Sequence, residues 1–168
     1  MLQNGHTQLA AKNQLGINAS KFLVLFDEKV NNLDLTYRCR VSRSLNIRLS
    51  TSIDISTSDS GTSDLGVRIG ADKYFKKNGS FNFYCGVDLN FARNKIHSSD
   101  RKNHDYGIHS FIGFLYQIGD NFSLSTEPTL AFIRNTTSNP SSFNPSANES
   151  FNEIKLLNIG QVKVSFHF

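Results

Sequence analysis

Apolar and polar residues alternate along most of this chain with a period of two, the repeat of β-strands whose faces meet different surroundings. Leu33, Leu35, Tyr37, Cys39 and Val41 alternate with Asp34, Thr36, Arg38 and Arg40. Leu45, Ile47, Leu49, Thr51, Ile53 and Ile55 alternate with Asn46, Arg48, Ser50, Ser52 and Asp54, and Leu65, Val67, Ile69, Ala71 and Phe75 with Gly66, Arg68, Gly70, Asp72 and Tyr74. The clearest segment sets Phe81, Phe83, Cys85, Val87, Leu89 and Phe91 against Asn82, Tyr84, Gly86, Asp88 and Asn90. Two more follow: Tyr106 to Ile118, with His109, Phe111 and Leu115 on the polar parity, and Phe122 to Phe132, with Ser123, Ser125, Glu127 and Thr129 on it. The last stretch, Ile154 to Phe168, is apolar on even numbers up to a terminal phenylalanine, with Lys155, Lys163, Ser165 and His167 on odd ones; Leu157, Asn158 and Ile159 break the pattern. A less regular segment, Leu15 to Phe26, is the expected first strand, with a bulge or strand end near Lys21.

The connections predict an up-and-down meander. A tight connection at Arg43 and Ser44, a two-residue hairpin at Asn78-Gly79 and a short turn at Gly119 to Asn121 alternate with longer polar loops at 57–64, 93–105 and 136–150. Eight antiparallel strands result, with short turns at one rim and loops at the other. Residues 1–14 read as an N-terminal extension and 15–168 as one barrel domain. Pro128 lacks the N–H of a ladder residue, so a local bulge is expected there.

Alternation does not say which face points inward. A soluble calyx binding a small apolar ligand would turn the apolar face in, and a transmembrane barrel would turn it out. Composition favours the second arrangement. The polar face holds Gly, Ser and Asn, with Arg38, Arg40, Arg48 and Arg68 balanced by Asp54, Asp72, Asp88 and Glu127, and His109 among them. A narrow lumen is expected to take small residues and paired charges, whereas a water-facing surface carries abundant Lys and Glu. Aromatics on the apolar face gather in two girdles, Phe75, Phe81 and Phe122 with Phe166 and Phe168 toward the short turns, and Phe91 and Phe132 toward the loops.

On these features, and above all on the terminal strand QVKVSFHF with Val164, Phe166 and Phe168, the chain resembles the small outer-membrane β-barrel proteins of the OmpA/OmpX type. The resemblance implies an eight-stranded antiparallel up-and-down transmembrane β-barrel in a Gram-negative outer membrane, its signal peptide removed and both termini periplasmic. It also implies a C-terminal strand read by the barrel-assembly machinery, and contact with outer-membrane lipid and lipopolysaccharide. A monomer is expected.

Charge, cysteines and candidate chemistry alter this picture little. The net charge of +4 comes without a basic block, so nucleic acid is not expected as a partner. Cys39 and Cys85 lie on the apolar parity and are expected to be small buried hydrophobes rather than a bridge. His109 and Ser110 are neighbours and Glu127 is on the next strand, so a lipid-modifying hydrolase is a possible alternative. Adjacent residues, however, point to opposite faces of a strand. His97 and His104 lack the spacing of a zinc site. The expected role is structural, adhesive or loop-mediated binding, with no catalysis, no cofactor and no metal.

Overall fold

The computed structural model describes residues 12–19, 30–56, 61–96, 102–138 and 149–168. They form β1 (Asn13–Asn18), β2 (Val30–Arg40), β3 (Leu45–Ser56), β4 (Thr62–Asn78), β5 (Phe81–Ile96), β6 (Lys102–Ile118), β7 (Phe122–Thr126), β8 (Thr129–Ser138), β9 (Glu149–Leu157) and β10 (Lys163–His167). Every pairing is antiparallel. Neighbours in sequence pair from β1 to β6, β7 and β8 share β6 as partner, and β10 closes the ring against β1. The ten segments make a closed eight-stranded barrel in which the last two strands are each interrupted once. At the closure, the N–H of Asn13 donates to the carbonyl of Phe168 and the N–H of Phe168 to that of Asn13, each at 3.0 Å. The expected first strand begins two residues early, at Asn13, and the anticipated irregularity at Lys21 lies outside the described residues.

Three expectations about connections are corrected. The span 93–105 is mostly ladder rather than loop, since Arg93 pairs with His104 and Asn94 with Asn103; His97 and Arg101 are outside the described residues. Likewise β3 runs to Ser56 and β4 starts at Thr62, so Thr62 to Asp64 are strand. Backbone hydrogen bonding propagates the hairpins through side chains too polar to announce a strand. The hairpin read at Asn78-Gly79 falls one residue later, on Gly79 and Ser80, with positive φ at Gly79 alone, the pattern of a type II′ turn. A bulge makes this possible. Up to Tyr74↔Tyr84 the register would meet a loop of odd length, and the extra residue Phe75 shifts it to Lys76↔Phe83 and Asn78↔Phe81, which fits a two-residue turn.

Pro128 is not itself bulged. Phe114↔Thr126 and Phe111↔Thr129 belong to one unbroken register with β6, and the Pro128 carbonyl still accepts from the Ile112 N–H at 3.3 Å. The extra residues are across from it. Between Ser125↔Lys163 and Thr129↔Leu157, the three residues 126–128 face the five residues 158–162. Asn158 (φ 59°) and Gly160 (φ 72°) turn the chain there. A two-residue insertion preserves parity, so Ile154 and Leu156 point outward on one side of it and Phe166 on the other.

The burial pattern is inverted relative to a water-soluble sandwich. Ile47, Ile69, Val87, Leu89, Ile108 and Leu130 are exposed on the outer face, whereas Arg38, Arg48, Asp72, Asp88, His109 and Glu127 are buried inside. Cys39 and Cys85 are free thiols on the outward parity, half-buried and exposed respectively, which corrects the expectation that they are buried. Outward aromatics touch across strands near the short turns, Phe75–Phe83 at 6.3 Å between ring centroids, Phe81–Tyr116 at 4.8 Å, Phe83–Phe114 at 5.3 Å and Phe122–Phe166 at 5.3 Å, and Phe166 stacks on Phe168 along its own strand at 5.9 Å. At the other end Phe91 meets Tyr106 at 5.9 Å, and the exposed Phe132 stands beside Ile108 in the adjoining ladder.

Candidate functional site

The lumen is built around Glu127, which precedes the proline at the break between β7 and β8. The backbone at the break is satisfied by side chains: the Thr129 hydroxyl donates to the Glu127 carbonyl at 2.8 Å, and Asn158 Nδ2 donates to that hydroxyl at 3.2 Å. The Glu127 carboxylate is 2% exposed and accepts from four side chains. Arg48 binds it with two prongs, Nη1 to Oε1 at 3.2 Å and Nη2 to Oε2 at 3.0 Å. Lys163 Nζ reaches Oε2 at 2.6 Å, the Tyr84 hydroxyl reaches Oε1 at 2.6 Å, and Arg38 Nη2 also bonds Oε1.

Each arginine is held by a second acid. Arg38 Nε lies 3.1 Å from Asp72 Oδ2, and Arg48 Nε lies 3.2 Å from Asp88 Oδ1. Asn46 donates to the other oxygen of Asp72 at 2.6 Å. Arg68 pairs separately with Asp34 at 3.3 Å. Four bases thus face four acids, as burial demands, because an uncompensated charge in such a place costs several kcal/mol.

Aromatics pack the arginines from the side. The guanidinium of Arg38 sits 4.6 Å from the Tyr84 ring centre and that of Arg48 sits 4.2 Å from Phe111. Tyr74, Tyr84, Phe111 and Leu115 form a buried cluster, which corrects the expectation of small residues and charges only. Glycines on neighbouring strands make room for them: a Cβ at Gly113 would fall within the Tyr84 ring, and one at Gly86 would meet Phe111. Two recesses among the described residues are nearly closed, one beside Arg38 and Lys163 with no room for a water molecule and one of about 10 Å³ at the short-turn mouth beside Arg40 and His167. Both are far below the roughly 300 Å³ of ordinary ligand pockets.

Of the charged residues expected in the lumen, the structure gathers Arg38, Arg48, Asp72, Asp88 and Glu127 into one cluster. Arg40 lies nearer the short-turn mouth, and Asp54 stands opposite Asp64 toward the other end. His109 is buried opposite Asp88 in the β5–β6 ladder, and Ser110 is exposed on the outer face, so the two halves of a hydrolase point apart. The sequence pattern did not single out Lys163 and Tyr84 as members of the cluster, or Asp34 as the partner of Arg68, although all three sit on the polar parity. Among the described residues no group of His, Cys, Asp and Glu is placed to hold a metal ion. Chemically the cluster is a plug, since the central carboxylate is saturated by donors.

No known family model matches this chain, and no curated protein matches it.

Proposed function

We propose that this chain is an integral outer-membrane β-barrel protein that serves as a structural or adhesive platform, binding through the loops at its long-strand rim and catalysing no reaction. The observation that carries this reading is the inverted barrel: an apolar outer face flanked by aromatics around an ion-paired, plugged lumen. Water would not tolerate so continuous an apolar surface, because soluble monomers rarely expose patches beyond a few hundred Å². A bilayer would solvate it. The strands are long enough. At about 3.3 Å per residue, the 17 residues of β4 or β6 reach roughly 55 Å, or about 40 Å of height at a tilt near 40°. The apolar band of such barrels is about 25 Å tall, so these strands would project beyond it on the side away from the short turns.

The likeness to OmpA/OmpX-type barrels, carried by the alternation of Val164, Phe166 and Phe168, supports the same reading. A calyx for an apolar ligand would require the opposite orientation of faces. Fractionation decides between them. The membrane reading expects the protein in the membrane pellet, released by detergent, and migrating differently on a gel when unboiled. Recovery as a folded, soluble protein in plain buffer would overturn it.

A further inference from the structure

Just beyond the loop-side aromatics, the outer surface changes from apolar to cationic. Arg93 stands directly opposite His104, two residues past the Phe91–Tyr106 pair, and Arg134 stands opposite Tyr106 and two residues past Phe132. Lys95 continues the outward parity of β5. Arg93 and Arg134 are exposed, and among the described residues neither has a carboxylate partner. The acids of the same segments take the other parity. Asp105 accepts from Asn94 at 3.1 Å, and Glu153 accepts from Asn135 at 3.2 Å and pairs with Lys155 at 2.7 Å.

On β5, β6 and β8 the charge at Arg93, Lys95, Arg134 and Asp105 is therefore sorted by face, cations outward and the carboxylate inward, while on β9 Lys155 and Glu153 pair with each other on the inward parity. A surface merely solvated by water has no need of that sorting, since interspersed signs serve solubility equally well. Neighbouring strands lie about 4.8 Å apart, so Arg93, His104 and Arg134 form a patch about 10 Å across. That is the scale of one or two phosphate groups, and guanidinium groups bind phosphate with paired hydrogen bonds.

We propose that this collar of Arg93, His104 and Arg134 holds the phosphate groups of an anionic lipid at the loop-side surface of the bilayer. The inference rests on the membrane reading above: the aromatics beneath the collar mark the level at which head groups would begin. Each arginine contributes attraction worth about fivefold in affinity near an anionic surface, weakened by salt.

The test uses the full chain refolded into phosphatidylcholine vesicles with and without a minor fraction of phosphatidic acid. Phosphatidic acid retained on the barrel after detergent extraction is counted by native mass spectrometry. Wild type retains it, and R93Q/R134Q loses about 25-fold in affinity at low salt. K73Q, which removes an exposed cation near the opposite rim, retains it as wild type does. If the double variant does not assemble, R93Q and R134Q singly each show part of the loss. Equal retention by wild type and R93Q/R134Q overturns the proposal while leaving the membrane reading intact. Inorganic phosphate that displaces the lipid as effectively as phosphatidic acid itself overturns a lipid site in favour of a free-anion site. Failure to insert into either vesicle overturns the membrane reading, and the collar's role with it.

Discussion

Arg48 and Glu127, 79 residues apart in the chain, meet in a two-pronged ion pair at 3.2 and 3.0 Å inside the barrel, where the arginine is 1% and the glutamate 2% exposed. The pair sits at a strand break whose backbone is capped by Thr129 and Asn158, so its geometry depends on an irregularity of the sheet.

Loss of the shared carboxylate is the most damaging change available to this cluster. Glu127→Gln leaves Arg38, Arg48 and Lys163 without the acid they share and is expected to cost about 3–5 kcal/mol. Lys163→Met removes one base of three around that acid and is expected to cost less. Urea titration of the folded barrel in micelles, followed by circular dichroism or gel migration, gives both values. A smaller cost for Glu127→Gln than for Lys163→Met would show that Glu127 is not the centre of the cluster.

Gly113 and Tyr84 are expected to be coupled. Gly113→Val drives a side chain into the Tyr84 ring and displaces the hydroxyl that donates to Glu127 at 2.6 Å. Tyr84→Phe keeps the ring and removes that hydrogen bond together with the one the hydroxyl accepts from Arg38 Nη2 at 3.1 Å, at a cost of about 1–3 kcal/mol. Gly113→Val is expected to cost more, and adding Tyr84→Ala should recover part of that loss. Strict additivity of the two changes in a double-mutant cycle would rule out the contact.

The break in the last two strands is expected to depend on Gly160 more than on Pro128. Gly160→Val forces a β-branched residue to φ 72° and is expected to cost about 1–2 kcal/mol. Pro128→Val keeps an unbroken register with β6 and regains a donor facing it, so stability should hold or rise by about 1 kcal/mol. Thermal midpoints of the two variants in one detergent make the comparison. A larger loss for Pro128→Val would reverse the assignment.

Val87 distinguishes the two possible surroundings of the barrel. Its side chain faces outward and is 49% exposed, so Val87→Arg disturbs no protein core. In a bilayer an arginine near mid-strand is expected to cost about 2–4 kcal/mol, and in water almost nothing. Refolding yields in vesicles that drop for Val87→Arg and recover for Val87→Leu would support lipid as the surrounding medium. Indifference to both changes would count against it.

The period of two was legible residue by residue, because strand parity is a local property that any solvent difference across the sheet writes into the sequence. From it came the strand count, the closure of the terminal strand on the first and the shared face of Phe81, Phe122 and Phe166, while composition gave the outward direction of that face. Pattern breaks at Leu157, Asn158 and Ile159 were also visible, but only the pairing shows that Leu157 still belongs to the ladder and that 158–162 carry two residues more than 126–128 opposite them. The strand content of 93–105 was hidden, since a ladder already under way is extended by backbone bonds that do not depend on side-chain polarity. Partners in the lumen were not legible. Arg38 and Glu127 are 89 residues apart, and whether Lys163 or Arg68 reaches the central carboxylate depends on strand stagger around the closed ring. The sequence therefore determined which side chains share a face. Only the closed barrel decided which of them touch, because closure sets their height and separation across the lumen.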